Sequence, residues 1–463
     1  MEDNIREMYE KARAAFKIVE YWPQEKVDEM VLAVGWELQK PETADELARL
    51  AVEGSGIGVY EDKVHKIGTK VRGTLFDQIG VKTCGLVEED KAKGIRTYAK
   101  PIGVIANVVP CTNPESTVCC IALSTLKTRN AIICSPHPRT ELATYTTVEH
   151  IRKALVKVGA PVDLVQCIRH TSNEKTSELM ANCNYAVATG GAALVKVVYA
   201  AGVPAQTVGA GNVISIVDST VKDIPGVAFR LRKSKTANNA ASCSSENAIA
   251  IEECIFDKMI AALKAEGGYL CSTEEREILR KTMWPDGHML NREIVAKSAT
   301  FIADLAGLKV PKDTKILMVM GEKVGREDRF SGEKLSPVLT VWKWIDFDEM
   351  LDRMEKILKF SGEGHSVNIQ TELDERIQKI GLRANVSRVV CNMGHTEANS
   401  GGWTSHLGFT DTLGCGTWAG NISCENINWK QFLMYTRVSV PVPNYQPSDE
   451  VLFGAYLKKY GKD

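Results

Sequence analysis

The stretch GVIANVVPCTNPESTVCCIALSTLKTRNAIICS, residues 103–135, decides the fold. Its two ends, Gly103 to Val109 and Ala131 to Cys134, are short apolar runs rich in β-branched residues, whereas Ser116 to Leu126 between them has the length and composition of a helix. Strand, helix and strand in so short a span make one parallel crossover unit. Towards the C-terminus the cadence continues, with strands at Leu164 to Ile168, Tyr185 to Thr189 and Val213 to Val217. Helices at Glu141 to Val158, Glu174 to Asn182 and Ala192 to Ala200 separate them. This alternation predicts an α/β fold whose parallel sheet is wound on both faces and binds ligands beyond the carboxyl ends of its strands. A second alternating region runs from Asn247 to about Val390, with strands near Ala248 to Ile251, Lys315 to Met318, Val338 to Trp342, Ser366 to Gln370 and Arg388 to Cys391. It predicts a second α/β domain.

Towards the N-terminus, Glu25 to Gln39 and Thr43 to Val52 carry apolar residues at helical spacing. The β-prone Arg96 to Lys100 before Pro101 predicts a hairpin that leaves the main body. Ile5, Met8, Ala12, Ala15, Phe16 and Val19 recur at three- and four-residue steps, the pattern of an amphipathic helix rather than a signal sequence. Its apolar face packs on the domain in one reading and docks onto a protein shell in the other. Phe432 to Pro443 is β-branched and predicts a strand that pairs outside its own domain. The expected organisation is a cofactor-type domain over 1–235 with the hairpin at about 90–104, a domain carrying the reactive cysteine over 236–428, and a strand and tail over 429–463.

The bulk properties exclude several classes. In 463 residues, 44% are apolar, 25% are charged and the net charge is −1, as in ordinary water-soluble globular proteins. Basic residues are dispersed, apart from Arg230, Arg232, Lys233 and Lys235, so a nucleic-acid partner is not expected. Thirteen cysteines in so long a chain are not a disulfide framework and fit a reducing cytoplasm. Neither a CxxC pair nor a helically spaced histidine pair occurs, and no metal site is expected. No apolar run has membrane-spanning length.

Three places offer chemistry. Gly190 and Gly191 follow the Tyr185 to Thr189 strand and open a helix, where backbone amides and the helix dipole favour phosphate; a purely steric turn is the alternative. Ser135-Pro136-His137-Pro138-Arg139 follows another strand end, and Arg139 is either a phosphate partner or a solvated loop charge. Within SKTANNAASCSSEN, residues 234–247, Cys243 stands in a small polar neighbourhood just before a strand. It is a nucleophile or one more packed cysteine.

The segments PCTNP (110–114), SPHPR (135–139), ATGGAALV, VGAGN (208–212), NNAASCSSEN, EKLSPV (333–338), GEGHS and LGCGTWAGN resemble, in order and over nearly the whole chain, the CoA-acylating aldehyde dehydrogenases of the aldehyde dehydrogenase superfamily. The resemblance implies a Rossmann-type cofactor domain, an α/β catalytic domain and a small oligomerisation arm. It implies Cys243 as the nucleophile that forms a thioester, Asn113 as an oxyanion-hole donor and Glu333 as the ribose ligand, with a helix cap or surface charge as the other reading of Glu333. Ser135, His137, Arg139, Thr189, Gly190, Gly191, Gly209, Gly211 and Pro337 complete the implied site for NAD or NADP, and coenzyme A is the co-substrate. Hydrolytic relatives carry a glutamate base where this chain has Val208, which predicts a thioester that persists until CoA arrives. His365 in GEGHS is a candidate to move protons or a structural histidine.

The C-terminal segments are similar to those of enzymes for anionic aldehydes, which ranks sulfoacetaldehyde first and succinate semialdehyde second. Ser242, Ser244 and Thr417, with Arg230 and Ser423, are the candidate tail contacts. An acetaldehyde or propionaldehyde enzyme, a hydrolytic dehydrogenase and a non-catalytic scaffold of the same fold are the alternatives. The family further implies a homodimer or homotetramer, and a cytoplasmic location with or without association to a bacterial microcompartment.

Overall fold

The computed structural model describes residues 3–462. Its frame is two parallel sheets and one small antiparallel sheet. The first parallel sheet runs in the order Val165–Cys167, Ala131–Ser135, Val104–Val108, Tyr185–Ala188 and Ala205–Thr207. Val104–Val108 lies at its centre and is buried throughout, which explains why it reads as a continuous apolar run without alternation. The second sheet runs Gly268–Leu270, Ile316–Met320, Val338–Trp344, Glu246–Glu252, Val213–Val217, Gly364–Gln370 and Val386–Cys391.

This order corrects one expectation. Val213–Val217, grouped by cadence with the first sheet, pairs with Glu246–Glu252 and Gly364–Gln370 in the second. The first sheet closes instead with Ala205–Thr207, a three-residue strand too short to show a periodicity. The chain therefore changes sheets within 208–212, not at residue 235. Helix Ile224–Thr236 follows suit, with Val227, Ala228 and Leu231 in the core of the second sheet.

Helices Ile5–Val19, Gln24–Leu38, Pro41–Ser55 and Tyr60–Phe76 belong with the first sheet. Ile5, Ala12, Ala15, Phe16 and Val19 are all buried in its core, so the apolar face of the first helix packs internally. Fully burying each of the larger of these side chains stabilises the fold by about 1.5–3 kcal/mol. Helix Pro114–Lys127 has every residue buried, with Pro114 in the first turn, where its missing N–H costs no hydrogen bond.

The hairpin of Gly85–Asp90 and Ile95–Pro101 starts earlier than the sequence suggests. Leu433–Ser439 adds to it antiparallel, from Leu433 opposite Pro101 to Ser439 opposite Ile95. Beyond Leu433 the residues of this strand are exposed, and helix Asp449–Tyr460, which the sequence reading did not include, has no buried residue. Among the described residues no helix is long and apolar enough to cross a membrane.

Candidate active site

The loop that carries Cys243 is built under strain. After helix Ile224–Thr236 the chain takes three successive left-handed residues, Asn238, Asn239 and Ala240, with φ of 49°, 52° and 59°. Asparagine tolerates this region; for Ala240 it costs roughly 1–2 kcal/mol. The strain is held from outside the loop. The Asn238 N–H donates to Asp62 at 2.6 Å, and the Val59 N–H donates to the Asn238 side-chain oxygen at 2.7 Å. From the other side the VGAGN segment presses on the nucleophile loop. A Cβ on Gly211 would overlap the carbonyl of Cys243, so glycine is required there by close approach. Backbone strain of this kind, over-determined by its surroundings, fixes a side chain in place.

What it fixes is a thiol against an imidazole. Cys243 Sγ lies 3.1 Å from His365 Nε2, and the other ring nitrogen, Nδ1, is 2.7 Å from Ser366 Oγ. His365 is fully buried on strand Gly364–Gln370, and its carbonyl accepts from Arg388 at 3.0 Å. Burial, with Arg388 and His395 adding to it, holds the imidazole well below its usual range, so it is neutral at pH 7. Burial likewise pushes the Cys243 thiol up to about 12, with Glu333 and Cys415 in the same sense and Arg388 and Lys66 opposing. The resting pair is thus thiol and neutral imidazole. The thiolate, the reactive form of cysteine, is not the resting state here, and His365 is the nearest base to the sulfur among its hydrogen-bond partners.

Glu333 occupies the same chamber. Its Oε1 accepts from the Gly211 N–H at 3.2 Å, and burial raises its carboxyl to about 7. Beneath it the Lys235 ammonium is fully buried without a hydrogen-bond partner among the described residues, and desolvation pushes it down to about 7. Glu246 is also pushed up to about 7 by burial. The sequence offers Lys233 and Lys235 as cations that lower the Cys243 thiol, but the groups that oppose its upward shift are Arg388 and Lys66. Nothing in the spacing of Glu246 and Arg388 marks them for this site; only the fold brings them there.

The sulfur opens into a cavity of about 550 Å³ that runs from the second sheet to the carboxyl ends of the first. Asn113, the N-cap residue of Pro114–Lys127, lines it, and its side-chain oxygen has no partner among the described residues. Ser135, His137, Thr189, Gly190, Gly191 and Gly209 line the end towards the first sheet. Gly191 stands at the start of helix Ala192–Ala200, and a Cβ there would meet nothing, so the helix N-terminus is open to the cavity. Together with Glu333 this arrangement fits a nicotinamide dinucleotide: amides and a positive dipole end for phosphate, and a carboxylate with one oxygen free of backbone for a hydroxyl.

Other expected residues lie elsewhere. Arg139 is exposed and its guanidinium donates to the Ser55 carbonyl, at the C-terminus of helix Pro41–Ser55, not into the groove. Pro337 is buried, with its carbonyl accepting from Leu317 as the second sheet begins. Ser242 lines the cavity, but Ser244 is buried and accepts from Asn399 at 2.8 Å. Thr417 is exposed and is not part of the cavity wall, nor is Ser423, while Arg230 donates to Gln370. The proximity of a small polar segment in sequence does not place it on the same face of the pocket.

Comparison with known proteins gives the family. A model described as the aldehyde dehydrogenase family matches residues 1–270. The chain is 42% identical to a sulfoacetaldehyde dehydrogenase of Acholeplasma sp, covering 97% of this chain and 93% of the relative. It is 40% identical to an acylating sulfoacetaldehyde dehydrogenase of Bilophila wadsworthia, covering 99% of both. The crystal structure of an acetylating aldehyde dehydrogenase from Geobacillus thermoglucosidasius superposes with a TM-score of 0.92 at 34% identity, covering 96% of this chain and 98% of that one. With a family model over more than half of the chain and relatives matched almost end to end, the chain belongs to the aldehyde dehydrogenase family, in its CoA-acylating branch.

Proposed function

We propose that the protein oxidises a short anionic aldehyde to its CoA thioester, reversibly, with sulfoacetaldehyde first and succinate semialdehyde second as substrate. The observation that carries this reading is the Cys243 to His365 contact of 3.1 Å in a cavity where the facing VGAGN segment presents the apolar Val208 rather than a carboxylate.

Cys243 Sγ adds to the aldehyde carbon while His365 Nε2 accepts the thiol proton. The carbonyl oxygen becomes an alkoxide beside Asn113, whose amide is free to donate to it; one such donor is typically worth about 10²–10³ in rate. A nicotinamide dinucleotide held in the groove would supply the hydride acceptor, so that the adduct on Cys243 becomes an acyl thioester. Glu333 and the Gly190–Gly191 turn orient that cofactor, with Ser135, His137, Thr189 and Gly209 along its groove. His365, after losing its proton to solvent, accepts the proton of the incoming CoA thiol as the thiol takes the acyl group, an exchange of one thioester for another. Ser242 lies beside the bound acyl group.

The arm supports a homo-oligomer, a dimer or tetramer. Met434, Tyr435 and Val438 of the C-terminal strand, Val440 just beyond it, and Val451, Leu452 and Phe453 of the last helix, are exposed apolar side chains of the sort a second subunit covers. We place the enzyme in the cytoplasm, in keeping with its thirteen free cysteines. Association with a bacterial microcompartment would need a docking element other than helix Ile5–Val19, whose apolar face is already packed.

The test is turnover of sulfoacetaldehyde, succinate semialdehyde, acetaldehyde and propionaldehyde with NAD⁺ or NADP⁺, with and without CoA. Sustained turnover that needs CoA and favours the anionic pair is expected. Preference for a neutral aldehyde would reject the substrate reading, and unchanged turnover without CoA would reject the acylating one.

A further inference from the structure

Three lysines share one face of helix Tyr60–Phe76 at three- and four-residue spacing, and each binds, from behind, a residue of the cavity wall. Lys63 Nζ donates to the Thr112 carbonyl at 2.8 Å and pairs with Glu115 at 3.2 Å. Lys66 pairs with Asp411 at 2.9 Å, and Lys70 donates to the carbonyl and, at 2.8 Å, to the hydroxyl of Ser400. Thr112, Asp411 and Ser400 all line the cavity, and Lys66 is close enough to Cys243 to favour its thiolate. Lys63 and Lys66 are each matched by a carboxylate, Glu115 and Asp411, whereas Lys70 has none within salt-bridge distance among the described residues and meets only the more distant fields of Asp411 and Asp77. The next carboxylate along the helix, Asp77, accepts from the Phe409 N–H at 2.6 Å.

An independent feature lies on the opposing helix. Thr117 is buried to 1% exposure, lines the cavity, and its hydroxyl has no hydrogen-bond partner among the described residues. It stands one turn beyond Asn113 on Pro114–Lys127, and its neighbour Ser116 donates to Asp411. An orphaned buried hydroxyl costs about 1–3 kcal/mol unless something fills the site. Asn113 thus faces the reacting carbonyl, and Thr117 faces whatever lies one helical turn deeper.

Resting on the reading of the substrate as an anionic aldehyde, we infer that Lys66, Lys70 and Thr117, with Asp411 as the balancing charge, form the subsite that recognises its sulfonate or carboxylate tail. The tail supplies the anion that Lys70 lacks in contact and accepts from the Thr117 hydroxyl. Burial works against ionisation of Asp411, but Lys66 and Lys70 outweigh it and hold the carboxyl below its ordinary range, while burial lowers Lys70 itself. The tail contacts expected from the sequence, Thr417, Ser423 and Arg230, are outside this wall.

The experiment reads the ratio of kcat/KM for an anionic aldehyde to that for propionaldehyde at saturating CoA, with sulfoacetaldehyde and succinate semialdehyde as separate arms. Lys66→Met is expected to lower the ratio about ten-fold or more, chiefly through KM, and Lys66→Arg to restore it. Thr117→Val lowers it less. Asp411→Asn adds net positive charge and is expected to raise it. A merely structural role would move both aldehydes together and leave the ratio fixed in all four variants, which overturns the subsite while the parent's preference for anions stands. If Lys66→Met does not fold, the opposite signs of Asp411→Asn and Thr117→Val decide. A parent that prefers propionaldehyde overturns the substrate reading, and the subsite with it.

Discussion

The two parallel sheets meet at one cavity and furnish it by different physics. The first sheet offers backbone: small residues at Gly190 and Gly191, an open helix N-terminus, and neutral side chains such as Ser135 and Thr189. The second offers ionisable groups in a desolvated setting, with Cys243, His365, Glu333, Lys235 and Glu246 all displaced from their ordinary titration ranges by burial. A backbone cradle suits a large, invariant cofactor whose phosphates carry the charge. Buried titratable groups suit a step in which protons and charge move, because electrostatic effects there are stronger than in water. The binding half should therefore tolerate change better than the reacting half.

That contrast is breakable. Cys243→Ala removes the sulfur proposed to hold the acyl group and is expected to abolish acyl-CoA formation, as followed by NADH absorbance. Next, His365→Ala should lower the rate by about 10²–10⁴, with both NADH formation and CoA consumption affected in stopped-flow measurements. Loss of only the CoA-dependent phase would reassign the histidine to the second half-reaction. Asn113→Ala should cost about 10²–10³ in kcat with little change in KM for the cofactor. Against these, Gly191→Ala on the backbone side should change the cofactor KM only a few-fold, since a Cβ there meets open space. A loss as large as that of Asn113→Ala would end the distinction between the two halves.

The smallest effect expected is on stability. Burial holds His395 at about 3, whereas an unfolded histidine titrates near 6.5. Above the latter value the ring is neutral in both states and its contribution is fully present. As pH falls from about 6.5 towards 3, the unfolded chain takes up a proton that the fold resists, so stability declines. The melting temperature should drop across this window, and less steeply in His395→Gln; identical slopes would contradict the assignment.

How much of this was legible in the sequence follows the same divide. The first sheet was nearly complete from apolar cadence, because buried parallel strands and their crossover helices leave long, regular signals, and Ala192 to Ala200 coincides with the observed helix. Val213–Val217 was given to the wrong sheet, since periodicity reports that a strand exists and not which neighbour it pairs with. In the site, Cys243, Asn113, Glu333 and His365 came from motifs, and the structure brings the cysteine and histidine into contact. Lys66, Lys70, Thr117 and Asp411 escaped because they lie on three separate segments joined only by packing. The lysine spacing on Tyr60–Phe76 was visible, but such a face is usually solvated, and only its burial against the cavity wall gives it meaning.

The central claim, that an acyl group waits on Cys243 because the facing VGAGN segment brings no carboxylate to the thioester, is tested most directly without CoA. Enzyme mixed with excess sulfoacetaldehyde and NAD⁺ should release one equivalent of NADH per active site and stop, with an acyl adduct on the Cys243 peptide by mass spectrometry that CoA then removes. Continuous NADH formation in the absence of CoA, with Cys243 unmodified, would contradict it.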